Sequence, residues 1–322
     1  MADDWVAGAD VGGTNVKFAV SDGAGRVLAR GDVPTDPAAP LDTIQRLAAA
    51  LRAVLPGDHK RLTAVGLACA GIVAPATGRL GRSPNLPGWQ GSDLGGALRA
   101  AFGDIVTAVA NDVNAALYGE YRHGAGRGCR DLVMIALGTG VGGGVLIDGK
   151  LVTGFADGAG EIGHMTLELE GPLCPCGNRG CLESYCGSVG LLARARQLAA
   201  APEASAAWRD LIRSQGEALT TRACHELAAA GDPTALALFA AAGRRLGQAV
   251  ASLINVLAPE RVIIGGGVAQ AGEFFLVPCR DMVASHVMND EARDTPVVPA
   301  ELGPYAAATG AAALAREAGA VP

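Results

Sequence analysis

The chain has 322 residues, 50% of them hydrophobic, 18% charged and 4% aromatic, with a formal net charge of −6. That length suits two domains of ordinary size and that apolar fraction supplies a large core, while the acidic balance excludes a phosphate-tracking surface, which needs clustered Lys and Arg. No apolar run reaches the ~18 residues of a membrane span, and Met1-Ala2-Asp3-Asp4-Trp5 lacks the basic start and apolar core of a signal peptide, so the expectation is a cytoplasmic protein without nucleic-acid or membrane partners.

In chain order, a strand is expected over Trp5 to Ala9, closed by Asp10-Val11-Gly12-Gly13-Thr14. A second strand, Val16 to Val20, follows at once, so these glycines form a hairpin turn rather than a strand-to-helix loop. A third strand spans Arg26 to Val33, and Leu41, Ile44, Leu47, Leu51 and Leu55 recur at helical spacing. Leu62 to Ala68 reads as a buried strand, Asp93 to Phe102 as a helix, Ile105 to Ala110 as a strand, and Val113 to Arg122 as a helix. Leu132 to Leu137, Gly138-Thr139-Gly140 and Val141 to Ile147 then repeat the opening pattern of strand, glycine turn with a threonine, strand. Such an echo suggests a duplicated fold with a nucleotide held between its halves. Further on, Asp232-Pro233 pairs an N-cap with a first-turn proline. The helix it opens carries Ala235, Leu238, Phe239, Leu246, Val250, Leu253 and Ile254 on its apolar face. Arg261 to Ile264 is a short strand ending in Gly265-Gly266-Gly267, a helix starts near Glu273, and an alanine-rich helix runs from Tyr305 to Ala318.

Three glycine turns at strand ends are candidates for nucleotide binding. In Asp10-Val-Gly12-Gly13-Thr14-Asn-Val-Lys17, backbone amides can approach phosphate oxygens, Thr14 adds a hydroxyl and Lys17 a positive charge. Asp10 can hold Mg²⁺ directly or through water. The alternative is an ordinary glycine hairpin, and the motif is no P-loop, lacking a Gly-Lys-Ser/Thr ending. Gly138-Thr139-Gly140 is the second turn, and Gly265-Gly266-Gly267 sits where an adenosine could lie. Asn111-Asp112 stands where a strand meets a helix, so Asp112 either caps the helix or serves as the base that takes a hydroxyl proton during phosphoryl transfer. Ser83-Pro84-Asn85-Leu86-Pro87-Gly88-Trp89 is a rigid loop offering one amide side chain, or else a plain proline-rich turn.

His164, Cys174, Cys176 and Cys181 combine one imidazole with three thiols, the set that tetrahedral zinc takes. Disulfides are the competing reading, but a cytosolic chain keeps clustered thiols reduced. Cys186 is a rival fourth ligand, whereas Cys69, Cys129, Cys224, Cys279 and His225 are scattered and read as packing or surface residues. Glu161 and Glu183 bracket the clip and need not be ligands; held still by the metal, they can grip a molecule bearing hydroxyl groups.

Together these motifs resemble the ROK family (repressors, open reading frames and sugar kinases), and within it the glucokinase-like enzymes. The resemblance rests on Asp10-x-Gly-Gly-Thr14, Asn85-Leu-Pro-Gly-Trp89, Asn111-Asp112, Gly138-Thr-Gly140, Glu161-x-Gly-His164, Cys174-x-Cys-Gly-x₂-Gly-Cys181 and the Gly265 run, in that order along nearly the whole chain. It implies a two-domain α/β actin-like, hexokinase-type ATPase (ribonuclease H-like) fold with ATP and sugar in the inter-domain cleft. The expected domains are residues 1–111, with a C-terminal helix of about 305–322 packing back on them, and residues 112–304 carrying the clip. By resemblance, Asp112 is the base for a sugar 6-hydroxyl. Asn85, Asn111, Glu161, His164 and Glu183 are sugar ligands with Gly71 lining the pocket, and His164 serves both zinc and sugar. The implied activity is ATP- and Mg²⁺-dependent phosphorylation of glucose, with other sugars or a sugar-sensing repressor as alternatives. The nine residues before Asp10 leave little room for the repressors' N-terminal DNA-binding segment. The resemblance also implies a homodimer or dimer of dimers. Two departures stand out: Ala70-Gly71-Ile72-Val73-Ala74 lacks the family's proline and its acidic or amide residue, and Tyr305 is bulky where small or polar residues are common.

Overall fold

The computed structural model describes residues 4–22, 25–55 and 61–319. The chain forms two compact units, one of residues 1–130, 144–160 and 301–322, the other of residues 131–143 and 161–300. The end of the expected C-terminal helix, residues 320–322, lies outside the described residues.

The first unit opens with β1 (Trp5–Val11), β2 (Asn15–Asp22) and β3 (Val27–Pro34), an antiparallel meander. After α1 (Pro40–Val54), β4 (Leu62–Cys69) adds parallel to β1. A small hairpin, β5 (Val73–Ala74) and β6 (Arg79–Leu80), and the helix α2 (Leu94–Phe102) precede β7 (Val106–Asn111), which is parallel to β4. The sheet order is therefore β3-β2-β1-β4-β7. Alternation along β1 sorts its side chains between two layers. Ala7, Ala9 and Val11 join Ile44, Leu47 and Leu51 of α1 and Leu94 and Leu98 of α2 in one core. Val6 points the other way, with Ala64 of β4, to Ala312 and Ala315 of α10 (Ala306–Ala318). Glycine makes that second layer thin: a Cβ on Gly66 would stand 1.9 Å from Ala311 O, and one on Gly310 would stand 1.6 Å from Ala115 O. The alanine-rich C-terminus is thus a close-packing helix, lying against β1, β4 and the helix α3 (Asp112–His123).

α3 packs on α10 within the first unit, whose first segment runs to Arg130. A buried carboxylate reinforces the packing. Glu120 of α3 is fully buried and accepts from Ala125 N at 2.7 Å, Leu302 N at 2.8 Å and Glu301 N at 3.1 Å. Tyr118 and Arg122 of α3 both donate to Glu317 of α10.

The second unit contains β8 (Leu132–Leu137), β11 (Arg261–Gly265) and β12 (Val297–Pro299), strands of a second sheet that with β9 (Val141–Ile147) and β10 (Lys150–Leu151) has the order β10-β9-β8-β11-β12. Its helices are α4 (Glu183–Cys186), α5 (Ser188–Ala199), α6 (Ala206–Gln215), α7 (Thr221–Ala229), α8 (Pro233–Leu257) and α9 (Glu273–His286). Asp232 caps α8 as its sequence indicated, Oδ1 accepting from Ala235 N at 2.9 Å, and Ser205 Oγ donates to the same carboxylate.

Candidate active site and metal clip

In the first unit the candidate residues gather at the C-terminal ends of three neighbouring parallel strands. Asp10 of β1 registers with Ala68 of β4, and Cys69 registers with both Val11 and Asn111. Asp112 follows as the first residue of α3. Burial, and then the Asp112 charge, push the Asp10 carboxyl up to about 7, opposed by Lys17 directly across the β1–β2 pair. Cys69, read from the sequence as a scattered packing or surface residue, is buried beside the same acids, and burial, Asp112 and Asp10 all push its thiol up. Two carboxylates at the ends of β1 and β7, on either side of β4, make a place where a divalent cation or a protonated donor is stabilised.

The two roles open to Asp112 separate here. Asn111 is the cap of α3: its Oδ1 accepts from Val113 N at 2.9 Å and Asn114 N at 3.0 Å, and its Nδ2 donates to Gly71 O at 3.0 Å. Asp112 Oδ1 also accepts from Val113 N, at 3.0 Å, so the carboxylate is oriented at a helix N-terminus that already has a cap. Asn111 is committed at both ends of its amide, which makes it a brace between α3 and the Gly71 loop. Gly71 itself has φ +121°, and a Cβ there would meet Arg82 O at 2.6 Å, so backbone geometry requires the glycine.

Asn85 is presented by anchors on either side. Ser83 Oγ donates to Ala70 O at 2.6 Å, Leu86 and Trp89 are buried, and Trp89 Nε1 donates to Asp36 O at 2.8 Å. Between them Asn85 is exposed. The β1–β2 turn is likewise open: Gly13 and Thr14 are exposed, Gly12 N donates to Asn15 O at 3.1 Å, and Thr35 Oγ1 clamps Gly12 O at 2.8 Å. A Cβ at Gly13 would meet nothing within 4 Å, so neither packing nor backbone conformation accounts for this glycine. The two departures also find places. Ala74 lies in the β5–β6 hairpin, its carbonyl accepting from Gly78 N at 2.8 Å, and the Tyr305 ring receives the Arg30 guanidinium at 4.8 Å.

In the second unit His164, Cys174, Cys176 and Cys181 bring their ligand atoms within 4.8 Å of one another. Cys176 Sγ and Cys181 Sγ are 3.7 Å apart, as are His164 Nδ1 and Cys174 Sγ. Zn–S bonds of about 2.3 Å at tetrahedral angles set sulfurs about 3.8 Å apart, so the donor set fits zinc in both chemistry and size. A tight turn, with Gly177 N donating to Cys174 O at 2.9 Å, aligns Cys174 and Cys176. Cys186 is excluded as the rival ligand; it is buried, with Sγ on Ala242 O at 3.4 Å. His164 Nε2 lies 3.9 Å from Glu161 Oε2, so the ring turns one nitrogen to the clip and the other to a carboxylate.

Glu183 proves more occupied than its sequence position implied. Its Oε2 accepts from Val141 N at 2.9 Å and its Oε1 lies 3.7 Å from Cys174 Sγ. The glycine turn before it is closed by Gly138 N donating to Gly140 O at 2.9 Å. In the third turn, Gly266 has φ +91° and stands too close to Leu137 O for a side chain, while Gly267 is exposed and unobstructed. Among the described residues no helix is long and apolar enough to cross a membrane.

The family model described as ROK family matches residues 6–318. The chain belongs to the ROK family. This ROK protein is 34% identical to a glucokinase from Streptomyces coelicolor, over 96% of its own length and 97% of the relative's. It is 32% identical to a kanosamine kinase from Amycolatopsis mediterranei, over 98% and 97% respectively. Among solved structures, a ROK family glucokinase from Streptomyces griseus in complex with glucose and AMPPNP superposes with a TM-score of 0.81 at 35% identity, covering 97% of this chain and 99% of that one. The fold is the two-domain α/β fold of the ROK sugar kinases.

Proposed function

We propose that this ROK protein transfers the γ-phosphoryl group of ATP to the 6-hydroxyl of a hexose, with glucose as the sugar. The observation that carries the reading is the arrangement at the strand ends of the first unit. There Asp112 is an oriented carboxylate on a helix capped by its neighbour, beside Asp10 and the open Gly12–Thr14 turn. In the proposed step the sugar O6 attacks the γ-phosphorus in line, its proton passes to Asp112, and ADP leaves with the bridging oxygen. Lys17, Thr14 and the amides of Gly12, Gly13, Gly138, Thr139 and Gly140 bind phosphate oxygens, and Gly265 to Gly267 border the adenosine. A magnesium ion held at Asp10 would neutralise phosphate charge, a role suited to a carboxylate crowded by a second acid.

Asn85, Asn111, Glu161, His164 and Glu183 are assigned to the sugar hydroxyls, with Gly71 at their border and zinc in the clip as a structural metal. The kinase names of the relatives and the glucose complex of the Streptomyces griseus protein support the sugar. The kanosamine kinase relative makes an amino sugar the specific second reading. We further assign the solution form to a homodimer or dimer of dimers, which the mass measured by light scattering checks.

Asp112→Asn tests the assignment. The expected result is loss of nearly all turnover, a drop of ~10²-fold or more for a general base, with sugar binding retained in calorimetry. Full activity in this variant would remove Asp112 from the mechanism.

A further inference from the structure

Glu183 stands at the junction of two features that the sequence treats separately, the metal clip and the second glycine turn. Cys181 lies two positions before it, and Ser184 N donates to Cys181 O at 3.0 Å, so whatever fixes Cys181 fixes the backbone of Glu183. Its Oε1 faces Cys174 Sγ at 3.7 Å, while its Oε2 accepts from Val141 N at 2.9 Å, immediately after Gly140. Gly140 is what admits the carboxylate: a Cβ there would stand 2.2 Å from Oε2. The turn is tied on its other side as well, because Ser188 N, five positions beyond Glu183, donates to Gly138 O at 2.9 Å. Both ends of Gly138-Thr139-Gly140 are therefore held by the short segment that follows the last cysteine of the clip.

We infer that Glu183 is a positioning residue for the nucleotide turn, transmitting the rigidity of the metal clip to Gly138–Gly140 through its bond to Val141 N. This rests on the reading that the turn binds phosphate, and it adds a task distinct from any contact between Glu183 and a sugar. A backbone amide that donates to a phosphate oxygen does so only if the turn keeps its shape. An acceptor on the next amide, set in place by a cross-linked segment, removes conformational freedom that would otherwise be lost on binding.

The test is binding of Mg·AMPPNP in the absence of sugar, read by calorimetry on the full-length protein and on Glu183→Ala, Glu183→Gln and Gly140→Ala, with circular dichroism as the check of folding. The expected pattern is about tenfold weaker nucleotide binding in Glu183→Ala and in Gly140→Ala. Binding should be near wild type in Glu183→Gln, whose amide oxygen can still accept from Val141 N. Stripping the clip of metal with a zinc chelator, then restoring Mg²⁺, should weaken AMPPNP binding in the wild-type protein to a similar extent, a result that does not depend on any variant folding. Nucleotide affinity unchanged in Glu183→Ala and in the stripped protein would overturn the inference and leave Glu183 as a sugar contact alone. Failure of the untreated wild-type protein to bind AMPPNP would instead overturn the kinase reading itself.

Discussion

Asp10 shows how a single residue's environment can be read as chemistry. Its carboxyl is pushed up to about 7 by burial and by Asp112, against an ordinary value near 4. The folded protein therefore holds a proton at Asp10 that the unfolded chain has released between about pH 4 and 7. By linkage, stability from this site is full below about pH 4 and is lost as pH rises to about 7. Thermal unfolding of the ligand-free protein across this range should show that decline, and Asp10→Asn should flatten it relative to wild type; an unchanged slope in the variant would contradict the assignment. Mg·ATP should restore stability near pH 7 by favouring the ionised form. Trp89 offers a second check at this scale. Trp89→Phe keeps most of the burial but removes the donor to Asp36 O, with an expected cost of about 1 kcal/mol in chemical denaturation and weaker sugar binding through the Asn85 loop.

Among the elements, those that bury apolar side chains at a clear period were legible in the sequence. The strand expected over Trp5 to Ala9 forms and runs on to Val11; Ile44, Leu47 and Leu51 of the α1 stripe are buried though Leu41 is exposed; and the Asp232 cap stands where its pattern places it. Legibility failed where burial is thin or the element is short. α6 buries only Trp208, α7 only Cys224 and Ala228, and β12 has three residues, so each anchors few apolar side chains in the core. Of the candidate site, the clustering of His164, Cys174, Cys176 and Cys181 was marked by residue type and spacing, whereas the base role proposed for Asp112 rests on the family resemblance, since local sequence left cap and base both open. That Glu183 leans on Val141 N could not be read, because it depends on a contact between segments distant in sequence; the Asn111 cap is local, but Asn111 and Asp112 are both residue types that cap helices, so residue type alone did not separate them. The packing of α10 makes its own prediction. Gly66→Ala would set a Cβ 1.9 Å from Ala311 O, so an overpacking cost of roughly 1–3 kcal/mol or more is expected, seen as a lowered unfolding midpoint. For the clip, elemental analysis should find about one zinc per chain, with release on acidification as the thiolates and imidazole take up protons.

For the molecule as a whole, the first unit supplies the acid pair and the first glycine turn, while the second supplies the clip, Glu161 and the two other glycine turns. The family includes sugar kinases and proteins that use the same fold to sense sugars, and what separates these outcomes is turnover. The most direct measurement is sugar-dependent ADP release from Mg·ATP across a panel of hexoses and amino sugars. The account predicts catalytic release with the highest kcat/KM for glucose and a 6-phosphorylated product; no sugar-dependent release with any hexose, from protein that folds and binds nucleotide, would contradict it.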